Sequence, residues 1–159
     1  MTDTAPRQPA FDPLEVSGST GSGYPEPLKA VAEHRLKRRL GDHGGLNNFG
    51  VNMVTLPPGS GSALRHSHAR QDEFIYIVSG APTLVTDAGE QTLGPGLCAA
   101  FPAGTGDGHM LVNNSNTDVV YLEVGDRTDG DTVSYPDHDL VGKVVNGRLA
   151  FTRKSGASY

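Results

Sequence analysis

Short apolar segments closed by Gly, Pro, Asn or Asp recur from residue 47 to the end of the chain. "NNFGVNMVTL" (47–56) alternates Phe49, Val51 and Met53 against Gly50, Asn52 and Val54, a period of two. "PPGSG" breaks it. "ALRHSHA", "EFIYIV", "APTLVT", "EQTL", "LCAAF", "HMLVN" and "VVYLEV" follow, each with its own stop signal. "TDAGEQ" (86–91) reads as a hairpin turn. "LVGKVV-NG-RLAFTR" reads as another, because Asn146 and Gly147 both tolerate the positive φ of a type I′ turn. Many short strands at regular spacing imply an all-β sandwich or barrel. No βαβ pattern carries a Gly-rich phosphate loop, which argues against a dinucleotide fold.

The length, 159 residues, suits one domain, and 36% apolar residues suffice for one core. A net charge of −5 argues against a nucleic-acid groove, which needs a basic stripe. The one dense basic run, "RLKRRL" (35–40), reads as a solvated edge strand or helix face. The single cysteine, Cys98, excludes an intrachain disulfide framework and a CxxC metal site. No apolar run approaches membrane-spanning length, and the N-terminus has no basic-then-apolar leader pattern. A cytoplasmic protein with no membrane partner is the expectation.

Residues 1–24 are polar and rich in Pro, Gly, Ser and Thr, and read as a flexible N-terminal arm. A sharper reading docks that arm on a neighbouring subunit through Phe11, Leu14 and Val16. Residues 25–159 then form a single domain with a C-terminal hairpin at 140–153. Within it, a short turn or helix is expected near 27–33 and a strand over 34–40, with Gly41 as a stop signal.

Chemistry concentrates in "RHSHARQDEFIYIVSG" (65–80). Residues two apart on a strand share a face, so His66 and His68 project two imidazoles to one side. A turn at "ARQD" lets Glu73 face them from the next strand, and "GHMLVNN" starts another strand with His109. Three imidazole nitrogens and one carboxylate oxygen suit a single divalent transition metal ion: Fe, Mn, Zn, Ni or Co. By alternation Ile75 and Ile77 share the Glu73 face and would wall a pocket, Leu64 joins the histidine face, and Tyr76 falls outside. His34, His43 and His138 read as surface or turn histidines. Cys98 reads as a small buried hydrophobe. Asp107 reads as a solvated loop carboxylate, with ligand orientation or acid–base work as the alternative.

The two blocks, His66-x-His68-x4-Glu73-x6-Gly80 and Gly96-x5-Pro102-x-Gly104-x4-His109-x3-Asn113, resemble the motifs of the cupin superfamily. They stand in order, 15 residues apart (81–95), and the resemblance covers roughly residues 46–125. Two departures stand out. Ser60, flanked by Gly59 and Gly61, occupies the slot of the usual opening glycine, and "TGDG" lengthens the loop before His109. The resemblance implies a double-stranded β-helix, a jelly-roll barrel, with His66, His68, Glu73 and His109 as metal ligands. It further implies a metalloenzyme acting on a small oxygen-bearing organic molecule, of dioxygenase, isomerase or lyase type. The alternative is a non-catalytic binding module for a sugar or small acid. Single-domain members commonly pair through their sheets, so a homodimer is expected.

Overall fold

The computed structural model describes residues 9–145 and 148–159. In chain order the elements are β1 (Gly18–Ser19), β2 (Leu36–Arg39), α1 (Leu40–Gly44), β3 (Phe49–Leu56), β4 (Ser67–His68), β5 (Glu73–Ser79), β6 (Thr83–Thr86), β7 (Gly89–Thr92), β8 (Cys98–Phe101), β9 (Met110–Val112), β10 (Val119–Asp126), β11 (Thr132–Tyr135), β12 (Leu140–Val145) and β13 (Arg148–Thr152). One wall is a six-stranded sheet ordered β1-β2-β3-β10-β5-β8. The other combines a four-stranded sheet, β13-β12-β11-β4, with a three-stranded one, β7-β6-β9. Backbone hydrogen bonds sew these two together: His66 N–H donates to the His109 carbonyl (3.1 Å), and His109 N–H returns the bond (2.9 Å). The result is the expected double-stranded β-helix, antiparallel throughout.

Alternation decides which side chains enter the core. On β5, Ile75 and Ile77 are buried, while Phe74, Tyr76 and Val78 face outward at 40–46% exposure. The inward pair packs with Val54, Leu56, Leu84, Leu111, Val119 and Tyr121 between the large wall and the three-stranded sheet. A second cluster, Leu64, Val133, Tyr135 and Leu140, fills the other end and takes Tyr24, Leu28, Val31 and Phe151 against it. Gly80 ends β5 in a left-handed turn (φ 81°), where a Cβ would lie 2.8 Å from the Asp118 carbonyl oxygen. Gly59 holds the left-handed position (φ 78°) beside Ser60, so it does the turn work of the departed glycine.

Several elements differ from the expectation. The helical turn near 27–33 is a 3-10 helix at Leu28–Ala32, and β2 follows it. Gly41 does not stop the segment but sits inside α1. A Cβ there would meet the Val51 backbone nitrogen at 2.8 Å, so the missing side chain lets α1 lie on β3. The histidine segment is regular only at β4, where His68 pairs with Val133. The described part of the arm, residues 9–24, packs on the barrel from its own chain: Val16 is buried, Leu14 is exposed, and β1 pairs with β2. The hairpin expected at 86–91 is present as β6 and β7. The turn expected at Asn146–Gly147 lies outside the described residues; the strands flanking it, β12 and β13, pair antiparallel.

Candidate metal centre

The seam between the two smaller sheets delivers the histidines, and the large wall delivers the carboxylate. His66 and His109 sit opposite each other in the bridging pair, and His68 stands two residues along. Their Nε2 atoms lie 3.7 Å (His66), 3.6 Å (His68) and 3.2 Å (His109) from Glu73 Oε2. Ligand atoms of His66, His68 and Glu73 all lie within 4.8 Å of one another, and His109 joins them through Glu73.

The partners behind the rings orient them. His66 Nδ1 lies 2.8 Å from the Leu64 carbonyl. A carbonyl can only accept, so Nδ1 carries the proton and Nε2 presents a lone pair. His68 Nδ1 lies 2.6 Å from Oδ2 of Asp131, which is buried and also accepts from the Arg70 N–H through Oδ1. This is the carboxylate–histidine arrangement that orients and strengthens metal-binding imidazoles. His109 stacks flat on Phe101, with ring centroids 3.6 Å apart. Its Nδ1 is buried without a partner among the described residues.

Burial opposes charge on Glu73, His68 and His109, with a different outcome at each. Burial would raise Glu73, but His109, His66 and His68 hold its carboxyl well below the usual range. Burial works against charged His68 too, yet Glu73 and Asp131 outweigh it and push the ring up to about 9. At His109 burial wins and the pKa falls. Imidazole nitrogens aimed at one carboxylate oxygen need a proton or a metal ion between them. A proton on His68 serves in the metal-free chain. Ligands about 2.1 Å from a metal sit roughly 3 Å from each other when adjacent, close to the spacings found. The donor set therefore fits a divalent ion.

The cluster forms the floor of a cavity of about 340 Å³. Cross-strand register builds its large wall in rows. Gly50, Gly125, Glu73 and Phe101 make one, in which the two glycines carry no side chain and the Arg127 guanidinium lies over Gly50. Arg39, Asn52, Glu123 and Ile75 make the next. The third contains Lys37, Val54, Tyr121 and Ile77. The expectation of a solvated basic run is thus corrected. β1 covers the sheet edge outside β2, and Arg35, Lys37 and Arg39 alternate onto the interior face and line the cavity. Lys37 Nζ donates to Glu123 Oε1 at 2.8 Å, and Asn52 Nδ2 donates to the same atom at 2.9 Å.

The family profile for the cupin domain matches residues 52–125. A cupin-superfamily sugar phosphate isomerase from Silicibacter pomeroyi is 46% identical over 95% of this chain and 96% of its own, with a TM-score of 0.91. The chain belongs to the cupin superfamily. A second cupin-like structure, from Acidithiobacillus ferrooxidans and with a proposed assignment as a sugar phosphate isomerase, is 29% identical. It covers 76% of this chain and 77% of its own, with a TM-score of 0.71. The polyketide cyclase RemF of Streptomyces resistomycificus shares the fold at 22% identity, 74% and 78% coverage and a TM-score of 0.59. Among curated proteins nothing matches this cupin.

Other residues weighed in the sequence fall as follows. Ile75 lines the cavity as expected, while Ile77 is buried behind it in the core. Asp107 is a loop carboxylate away from the histidines, accepting from the Asp87 N–H at 2.9 Å. The expectation of a buried Cys98 is corrected: it is exposed, paired in register with Tyr76 on the outer face. His34 and His43 are exposed and His138 is half-buried, and none lines the cavity. Asp131 and the β2 cations were not singled out for the site. Asp131 sits far along the chain in an acidic loop, and only the pairing of β11 with β4 brings it behind His68. Among the described residues no helix is long and apolar enough to cross a membrane.

Proposed function

We propose that this cupin is a metal-dependent isomerase of small oxygen-bearing molecules, with phosphorylated sugars as the substrate class. The observation that carries the reading is the convergence of three imidazole Nε2 atoms on one Glu73 oxygen at the floor of a cavity. The 46% identity to a sugar phosphate isomerase favours isomerase over dioxygenase or lyase chemistry. His66, His68, Glu73 and His109 are the metal ligands in this reading. A divalent ion on them supplies Lewis acidity to adjacent carbonyl and hydroxyl oxygens.

Aldose–ketose isomerisation also needs a group that moves a proton between neighbouring carbons. Glu123 is positioned for this. Lys37 and Asn52 fix one of its oxygens, and the side chain lines the same cavity as Glu73. The absence of side chains at Gly50 and Gly125 widens the cavity between them, beside the Arg127 guanidinium.

The test is conversion of an aldose phosphate by metal-loaded protein in deuterated water, followed by NMR. Ketose phosphate carrying deuterium at the reacting carbon is expected. Glu123→Gln should lower kcat about 10²–10⁴-fold with metal content unchanged. Sugar binding without conversion by metal-loaded protein would sink the isomerase reading in favour of a binding module.

The reading includes a homodimer. The outer face of the six-stranded sheet presents Phe74, Tyr76 and Val78 together, beside Cys98 and Ala100 on β8. An apolar sheet face of this kind is the usual mark of an interaction surface.

A further inference from the structure

The cations that face the cavity are unequally matched. Lys37 is paired with Glu123, and Arg127 with Asp42. Arg35 donates one N–H to the Ser62 carbonyl, and among the described residues no carboxylate pairs with it. A guanidinium has five N–H donors in a planar fork, so most of those on Arg35 remain uncommitted in a half-buried position. Arg39, four residues along the same face, also has no carboxylate partner among the described residues.

A second, independent feature lies beside Arg35. Tyr121 is 1% exposed and lines the cavity; the Ser62 side chain lies beside its hydroxyl, which makes no well-formed hydrogen bond among the described residues. Burial pushes this phenol well up, and Arg35 is close enough to pull it back. A buried hydroxyl and a half-buried guanidinium are each costly when left unpaired. One oxyanion accepting from both would relieve both.

We propose that Arg35 and Tyr121, backed by Lys37 and Arg39 on the same face of β2, form an anion subsite for the phosphate group of a sugar phosphate whose carbonyl end lies at His66, His68 and Glu73. The inference rests on the proposed sugar-phosphate reading and names the residues that would select for it. A phosphate monoester carries close to two charges at neutral pH and three acceptor oxygens. That matches a fork of donors, a phenol and a cationic strand better than a neutral hydroxyl does.

The experiment is calorimetric titration of metal-loaded protein with ribose 5-phosphate, ribose and inorganic phosphate, with metal content measured on each sample. Ribose 5-phosphate should bind at least about tenfold more tightly than ribose, and inorganic phosphate should compete with it. Arg35→Gln should remove about tenfold or more of the ribose 5-phosphate affinity and leave ribose affinity and metal content unchanged. Tyr121→Phe should remove a smaller part, about threefold to tenfold. Equal affinity for ribose and ribose 5-phosphate in the wild type, or no measurable binding of either phosphate, overturns the subsite. So does a phosphate preference that survives in folded, metal-loaded Arg35→Gln. If that variant does not fold, the wild-type comparison and Arg39→Gln, with an expected loss of about threefold, still decide. A sample that holds no metal yet keeps the phosphate preference sinks the metal reading and leaves the subsite standing.

Discussion

At the scale of single residues, the group with the most leverage is Asp131. It is buried, its Oδ2 faces His68 Nδ1 at 2.6 Å, and its Oδ1 accepts a backbone N–H from Arg70. It touches none of the proposed ligand atoms at the Glu73 side, so its influence runs through the orientation and basicity of His68. Asp131→Asn should therefore weaken metal binding about 10–100-fold while the fold persists, measured by competition titration with a chelator. The four proposed ligand positions were legible because each is marked by spacing: His66 and His68 two apart, Glu73 after a turn, His109 heading a strand. Asp131 was not, since a carboxylate in "DRTDGD" has no local signature. Asn113 was legible only as part of a motif. In the structure it is fully buried, donates to the Leu56 and Thr117 carbonyls and accepts from Ser115, which locks the loop after β9.

At the scale of elements, period-two patterning located the strands well and their surroundings poorly. β3 and β5 fall where alternation put them, and β9 and β10 on apolar segments set off by stop signals, because each buries one face against a common core. β2 was misjudged for a physical reason. Four cations in six residues look like a solvated strand, yet the cavity is itself polar, so basic side chains can point inward, where Lys37 pairs with Glu123. Alternation alone cannot tell a wet interior from bulk water. Cys98 was misjudged in the converse sense, for a small apolar residue can lie on an outer face that only a second subunit would cover. Gly80 shows the element scale at its sharpest. Its left-handed φ and the 2.8 Å approach of the Asp118 carbonyl leave no place for a methyl group. Gly80→Ala should lower stability by about 2 kcal/mol or more, read as a shifted midpoint in urea with an unchanged slope.

At the scale of the whole molecule, the barrel has two unlike surfaces on one sheet. Inward, the six-stranded wall carries Glu73, Glu123 and the β2 cations. Outward, β5 carries Phe74, Tyr76 and Val78. Strand β5 thus serves the cavity and the proposed subunit contact with alternate residues. Light scattering at micromolar concentration should give a dimeric mass, and Tyr76→Glu should shift it to a monomer while metal content stays the same. A monomeric mass for the wild type would refute the pairing. Such a result would leave the cavity untouched, because the two functions lie on opposite faces of the same strands.

The row of Gly50 and Gly125 beside Glu73 has a further meaning. Neither needs to be glycine for backbone reasons, and a Cβ at Gly50 would meet nothing closer than 3.7 Å. The lack of a side chain there is not a demand of the backbone, and the Arg127 guanidinium lies over Gly50. That freedom makes the width of the cavity an inherited setting: exchange of either glycine for alanine or valine would narrow the chamber in small steps and leave the floor intact. A lineage of such proteins could move from one size of guest to another by altering two positions that take no part in the chemistry.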